Sequence, residues 1–162
     1  MAGKADIEKI IGAVREFIAG DVNALLPEYA ADADGRESPL PEIRRIVHGA
    51  VDLSRSEASV VCSITAGKQT EYEGADAGIA EHVFDTEITV VFLCADAPYP
   101  LLVSRACRYA SAFKQAMLAR PTFGGAFTGS GFGSLEIDYD AGATGGQMTA
   151  GIVSLTVRAD DL

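Results

Sequence analysis

The stretch Ala119-Arg120-Pro121-Thr122-Phe123-Gly124-Gly125 separates a helix from a pair of strands, and its position decides the fold. Upstream, Leu102, Ala106, Tyr109, Phe113 and Met117 recur at helical spacing and predict a helix over 101–120. Pro98 and Pro100 bar a strand from running into it, and Pro121 ends it. That helix carries Arg105, Arg108, Lys114 and Arg120 and no acidic residue. Downstream, Gly124, Gly125, Gly129, Gly131 and Gly133 predict a flexible loop. Two alternating segments follow, 134–140 through Leu135, Ile137 and Tyr139, and 147–158 through Val153, Leu155 and Val157. A glycine-rich turn at 142–146 joins them as a hairpin.

Working outward, the N-terminal side supplies the rest. Residues 57–65 alternate through Val60, Cys62 and Ile64 and predict a strand. Residues 81–94 predict a longer one, apolar on both faces. Ile88, Val90 and Phe92 take one face and Val91 and Leu93 the other, which marks a central or interfacial strand. Between them, residues 67–80 form an acidic hairpin loop. The chain opens with an amphipathic helix over 5–26, its stripe running from Ile7 through Ile10, Ile11, Val14, Phe17, Ile18 and Val22 to Leu25. Pro27, Gly35, Pro39 and Pro41 make 27–41 an extended arm. Residues 42–54 fit a short helix or an irregular strand equally well. The expectation is therefore one α+β domain over 1–162 in the order α-arm-β-β-α-β-β. Its mostly antiparallel sheet of about four to five strands packs against two main helices.

Composition supports a single folded unit. The chain has 162 residues, 48% of them hydrophobic, enough for one well-buried core without staples. Net charge is −10 and uneven. Residues 61–100 set Lys68 against Glu71, Glu73, Asp76, Glu81, Asp85, Glu87 and Asp96. An acidic balance of this kind argues against direct gripping of nucleic acid and suits either solubility or a basic partner surface. The basic rim of helix 101–120, Arg105 and Arg108 above all, is one such surface. It is expected to meet the acidic hairpin at Glu71, Glu73 and Asp76, within one chain or across a subunit boundary. Cys62, Cys94 and Cys107 have no CxxC spacing and read as reduced thiols. Charges interrupt the first apolar stretch, so no signal peptide is expected, and no run is long enough for a membrane span.

No constellation for catalysis emerges. Gly129-Ser130-Gly131-Phe132-Gly133 lacks the Lys and Ser/Thr of a phosphate loop and leads into a strand. Asp32-Ala33-Asp34-Gly35 places Ala30 and Pro41 where a calcium loop needs its first and last ligands. His48 and His82 have no partner at metal-ligand spacing, and a Cys107–His nucleophile has no sequence support beyond its residue types. Neither a catalytic group, nor a cofactor, nor a metal is expected. Glu136, Asp138 and Asp140 form a carboxylate row on one strand, either a solvated face or the lining of a channel.

The segment Tyr109-Ala110, Phe113-Lys114-Gln115-Ala116-Met117-Leu118 and the phrase after it, with the closing Leu135-Glu136-Ile137-Asp138-Tyr139 and Ile152-Val153-Ser154-Leu155-Thr156-Val157, resembles the tail terminator or tail completion proteins of tailed bacteriophages. The resemblance extends to the order of elements over most of the chain. It implies a structural virion protein, made in the host cytoplasm, whose copies form a ring expected to be six-fold. The ring would cap the tail tube protein and meet a head-side neck protein. DNA would pass without specific binding past the acids Glu136, Asp138 and Asp140, and no membrane would be involved. A head-side connector or stopper of the phage neck is the nearest alternative. A small α+β ligand-binding or adaptor module, with its pocket between helix 101–120 and the sheet, is the alternative from another class, and an enzyme is a third.

Overall fold

The computed structural model describes residues 4–50, 59–72, 82–142 and 147–160. Helix α1 spans Ile7–Phe17, with Asp6 as its N-cap accepting from the amides of Glu8 and Lys9. It continues through a π-helical turn, Ile18–Val22, a short α2, Asn23–Leu25, and a 3₁₀ turn, Leu26–Tyr29. Pro27 therefore lies inside the final turn, at an early position where its missing N–H costs nothing. Strands β1 (Arg45–His48), β2 (Val60–Glu71) and β3 (Val83–Cys94) follow. Helix α3 (Tyr99–Ala119) leads to β4 (Gly129–Asp138) and β5 (Thr149–Asp160).

The α+β expectation holds, with the sheet mixed rather than purely antiparallel. The five strands lie in the order β1-β2-β3-β5-β4. All neighbours are antiparallel except β1 and β2, which run parallel. The ambiguous segment 42–54 thus supplies a strand at 45–48, while residues 51–58 lie outside the described part. The doubly apolar strand is the central one. β2 runs six residues past its expected end, so the acidic loop begins after Glu71; its residues 73–80, and residue 81 of the expected next strand, fall outside the described part.

Both helices and one face of the sheet share a single core. Ile10, Val14 and Phe17 of α1, Leu102, Tyr109 and Phe113 of α3, and Cys62, Ile64, Val90, Phe92, Val153 and Leu155 of the sheet belong to it. The phrase at 119–125 closes that core. Phe123 is buried with φ +53°, stacks on Phe17 at 4.1 Å and meets Phe113 and Phe127 edge-on. A left-handed aromatic is strained, and the burial of its ring offsets the strain. Gly124 and Gly125, at φ +76° and +93°, reverse the chain toward β4.

The loop expected at Gly129–Gly133 is instead the first half of β4. Beside Gly133 the register with β5 shifts, and a Cβ there would lie 2.8 Å from the Ser154 carbonyl oxygen. Glycine here admits a bulge rather than a flexible connection. Gly151, in β5, has the stricter role: its Cβ would sit 2.5 Å from the Ala106 carbonyl oxygen and 3.0 Å from the Ala110 methyl. Helix α3 thus rests directly on the backbone of β5. Gly151→Ala is expected to cost about 1–3 kcal/mol by overpacking this contact, read as a lower urea midpoint with an unchanged slope.

Candidate functional site

The basic helix rim expected on α3 is largely used within the chain. Arg108 is a correction: it is buried, 8% exposed, and does not stand on the rim. Its guanidinium donates to the Tyr29 carbonyl at 2.8 Å, to the Ser38 carbonyl, to Ser38 Oγ at 3.1 Å and to Ser104 Oγ at 3.1 Å. Burial and the neighbouring Arg105 charge both lower its pKa. Arg120 pairs with Asp21 at 3.2 Å, and Lys114 sits 5.2 Å over the Phe132 ring of β4. Arg105 differs. It is half-buried, and its Nε is shielded from solvent with no acceptor. Of the acidic partners, Glu71 is exposed at the end of β2 and lies 2.5 Å from His82 Nδ1. Glu73 and Asp76 fall outside the described residues.

What Arg108 holds is the proline-rich arm, whose clamps the sequence did not disclose. Tyr109 donates its hydroxyl to the Pro41 carbonyl. Asn23 accepts from the Ile43 amide at 2.8 Å and donates to the Ile43 carbonyl at 2.9 Å, imitating a strand partner. Within the arm, Asp32 Oδ1 accepts from the amides of Asp34 and Arg36, and Ala31 bridges Glu37. The carboxylate that resembled a calcium ligand is thus spent on a turn. Beside the arm lies an open groove of about 600 Å³, lined mainly by Ala19, Gly20, Ala24, Leu26, Pro39 and Leu40. The pocket expected between α3 and the sheet is not what the geometry shows at Gly151, where helix and strand touch.

The sheet's second face turns away from both helices, as the alternation about Gly151 requires. Val61, Leu93 and Ala150 are buried on it, outside the main core. The same face carries Asp85, Glu87, Asp160, Glu136 and Asp138 against Arg45 and Arg158. Asp85 grips Arg158 with two bonds of 2.8 and 3.0 Å, and this raises the Arg158 pKa. Arg158 also lies 3.7 Å over the Tyr72 ring. Its charge is therefore neutralised in place, and the face stays acidic. Glu136, Asp138 and Asp140 are all exposed, Glu136 and Asp138 on the strand and Asp140 in the turn beyond it, where its amide donates to Asp138 Oδ1.

The thiols are not poised for chemistry. Burial raises Cys62 far above its ordinary range, pushes Cys94 up to about 12 and raises Cys107. Cys107 has no route to His82. Arg105 and Cys107 both act on Cys94 at the end of β3, and His82 precedes the start of that strand. Twelve residues of strand separate the two by roughly 35–40 Å. Among the described residues no group of three or more His, Cys, Asp or Glu is placed to hold a metal, and no helix is long and apolar enough to cross a membrane. No protein-family model matches the chain, and no curated protein sequence matches it.

Two outcomes follow from these placements. Arg108→Met strands the Tyr29 and Ser38 carbonyls, for a loss of about 1–3 kcal/mol. Limited proteolysis should then cut within residues 30–42 several-fold faster than in the parent. The Cys94 proton is held in the folded chain up to about pH 12 but released from 9.0 upward in the unfolded one. Its contribution to stability is complete below pH 9 and lost as the pH rises toward 12, a decline that denaturant titrations at high pH should reveal and that Cys94→Ala should diminish.

Proposed function

We propose that this chain is a structural subunit of a tailed-phage neck, one of a ring of copies that terminates the tail tube and presents the head with a joining surface. The observation that carries the reading is the one-sided sheet: both helices cover one face, and the other, buried at Val61, Ser63, Leu93 and Ala150, is fringed with carboxylates. Such a face suits the inner wall of a ring through which a polyanion passes, because fixed negative charge there prevents adhesion. Glu136, Asp138 and Asp140 belong to that wall. The order of elements and the closing strand pair, which resemble tail terminators, support the same reading. A head-side connector shares these features and differs in its neighbours.

The partners proposed are further copies of this chain, the tail tube protein and a head-side neck protein, with the assembled virion as the place of action. At the subunit boundary Arg105 is the α3 cation proposed to meet a neighbour's carboxylate. Glu71 itself lies ten strand residues up the sheet from the row beside Arg105, and so do the Glu71 residues of neighbours at the same height. Arg105 is half-exposed and its Nε has no acceptor among the described residues, which supports the boundary role. The groove beside the arm favours a second reading, a small ligand-binding or adaptor module.

The test is imaging of the purified chain, alone and with tail tubes, together with sedimentation over a wide concentration range. The expected result is rings with a central hole, alone or seated on tube ends, and weaker assembly for Arg105→Glu with an unaltered circular-dichroism spectrum. A monomer at every concentration that ignores tube ends, yet retains a small molecule, would overturn the ring in favour of the module.

A further inference from the structure

The sheet ends in two free edges, β1 on one side and β4 on the other. Long edge strands are ordinarily blunted by lysine, proline or a covering element. β4 runs ten residues, Gly129–Asp138, with neither lysine nor proline; the bulge at Gly133 interrupts its first half, and among the described residues no strand pairs with the outer side of the regular half, Ser134–Asp138. The two edges carry opposite charge. β1 brings Arg45, next to an Arg44 that pairs with Glu42 at 3.4 Å, and β4 and its turn bring Glu136, Asp138 and Asp140.

The ladders place these charges at matching heights. Arg45 lies opposite Val61, Val61 opposite Leu93, Leu93 opposite Ala150, and Ala150 opposite Asp138. Arg45 and Asp138 are thus the two ends of one row across the sheet, both on the face away from the helices. The adjacent row starts at Ile46, passes through Cys62, Phe92 and Gly151, and ends at Ile137, on the helix side. Both isoleucines are half-buried. Direction matters too. Following the ladders from β1 to β4, the one parallel pair leaves the two edge strands running opposite ways.

We propose that β4 of one copy pairs antiparallel with β1 of the next, so that one sheet runs on from subunit to subunit. The inference rests on the ring reading and names the seam. A rotation about an axis along the strands keeps each row at its height. Asp138 of one copy then meets Arg45 of the next, and Ile137 covers Ile46 beneath them. The contact is head-to-tail, the kind that closes into a ring rather than stopping at a pair. It also gives the parallel strand a purpose. Had β1 run antiparallel to β2, the same seam would be parallel, the slightly weaker ladder.

The test is a charge exchange, read by sedimentation and imaging under conditions where the parent assembles. Arg45→Glu alone and Asp138→Arg alone should each weaken assembly at least ten-fold, and the double variant should recover most of it. Singles that assemble like the parent, or a double no better than its worse single, would overturn the seam while leaving the ring intact. A second measurement does not depend on rings. In a Cys107→Ser background, Arg45→Cys with Asp138→Cys should oxidise to disulfide-linked multimers on a denaturing gel, since either kind of antiparallel pair brings the Cα atoms within bridging distance. Cross-links without rings would retain the seam and overturn the ring reading. Absence of cross-links at concentrations where chains associate would overturn the seam.

Discussion

The contact between α3 and the backbone of β5 at Gly151 is the constraint on which the rest of the structure depends. A helix that rests on a strand with no side chain between them cannot slide or tilt without opening a gap. That seating fixes Tyr109 and Phe113 over Phe92 and brings Phe113 to Phe17 of α1. It also aims Arg108 and Tyr109 past the sheet toward the arm. Core, first helix and arm are thus positioned from one crossing. With the helices committed to that side, the other face of the sheet is left to the strands.

Much of this was legible in the sequence because it rests on periodicity. The stripe of α1, the stripe of α3 and the alternation of β3 and β5 each reflect one face turned to the core. The double apolarity of 88–93 correctly marked the central strand. The glycines of β4 misled, since composition favours a turn there while the partner strand β5 imposes extension. The segment at 45–48 was undecidable, because four residues are too few for either period to declare itself. Its parallel pairing depends on a neighbour sixteen residues on.

The candidate surfaces were less legible, for a physical reason. A basic residue beside an apolar stripe has the same signature whether its charge meets solvent, an aromatic ring or a carbonyl. Arg108, Lys114 and Arg120 met a carbonyl pair, a ring and a carboxylate respectively. Arg105 alone among these four keeps a shielded donor without an acceptor. Glu136 and Asp138 were readable, because alternation on a strand sets their face directly, while Asp140, expected on the same strand, lies in the turn beyond it. Their place at the sheet's margin needed the ladder order.

The grip on the arm has a consequence for how the chain can vary. Arg108, Tyr109 and Asn23 reach mostly for main-chain groups, the carbonyls of Tyr29, Ser38, Pro41 and Ile43 and the amide of Ile43. Every amino acid offers the same carbonyl. The path of the strap is therefore held largely through its main chain, with the Asp32 carboxylate, the Ser38 hydroxyl and the buried Ile43 side chain as exceptions, and its outward side chains are free to drift while the course stays put. A surface built this way can be repainted for a new neighbour without being rebuilt, provided the three residues that hold it from the body are kept.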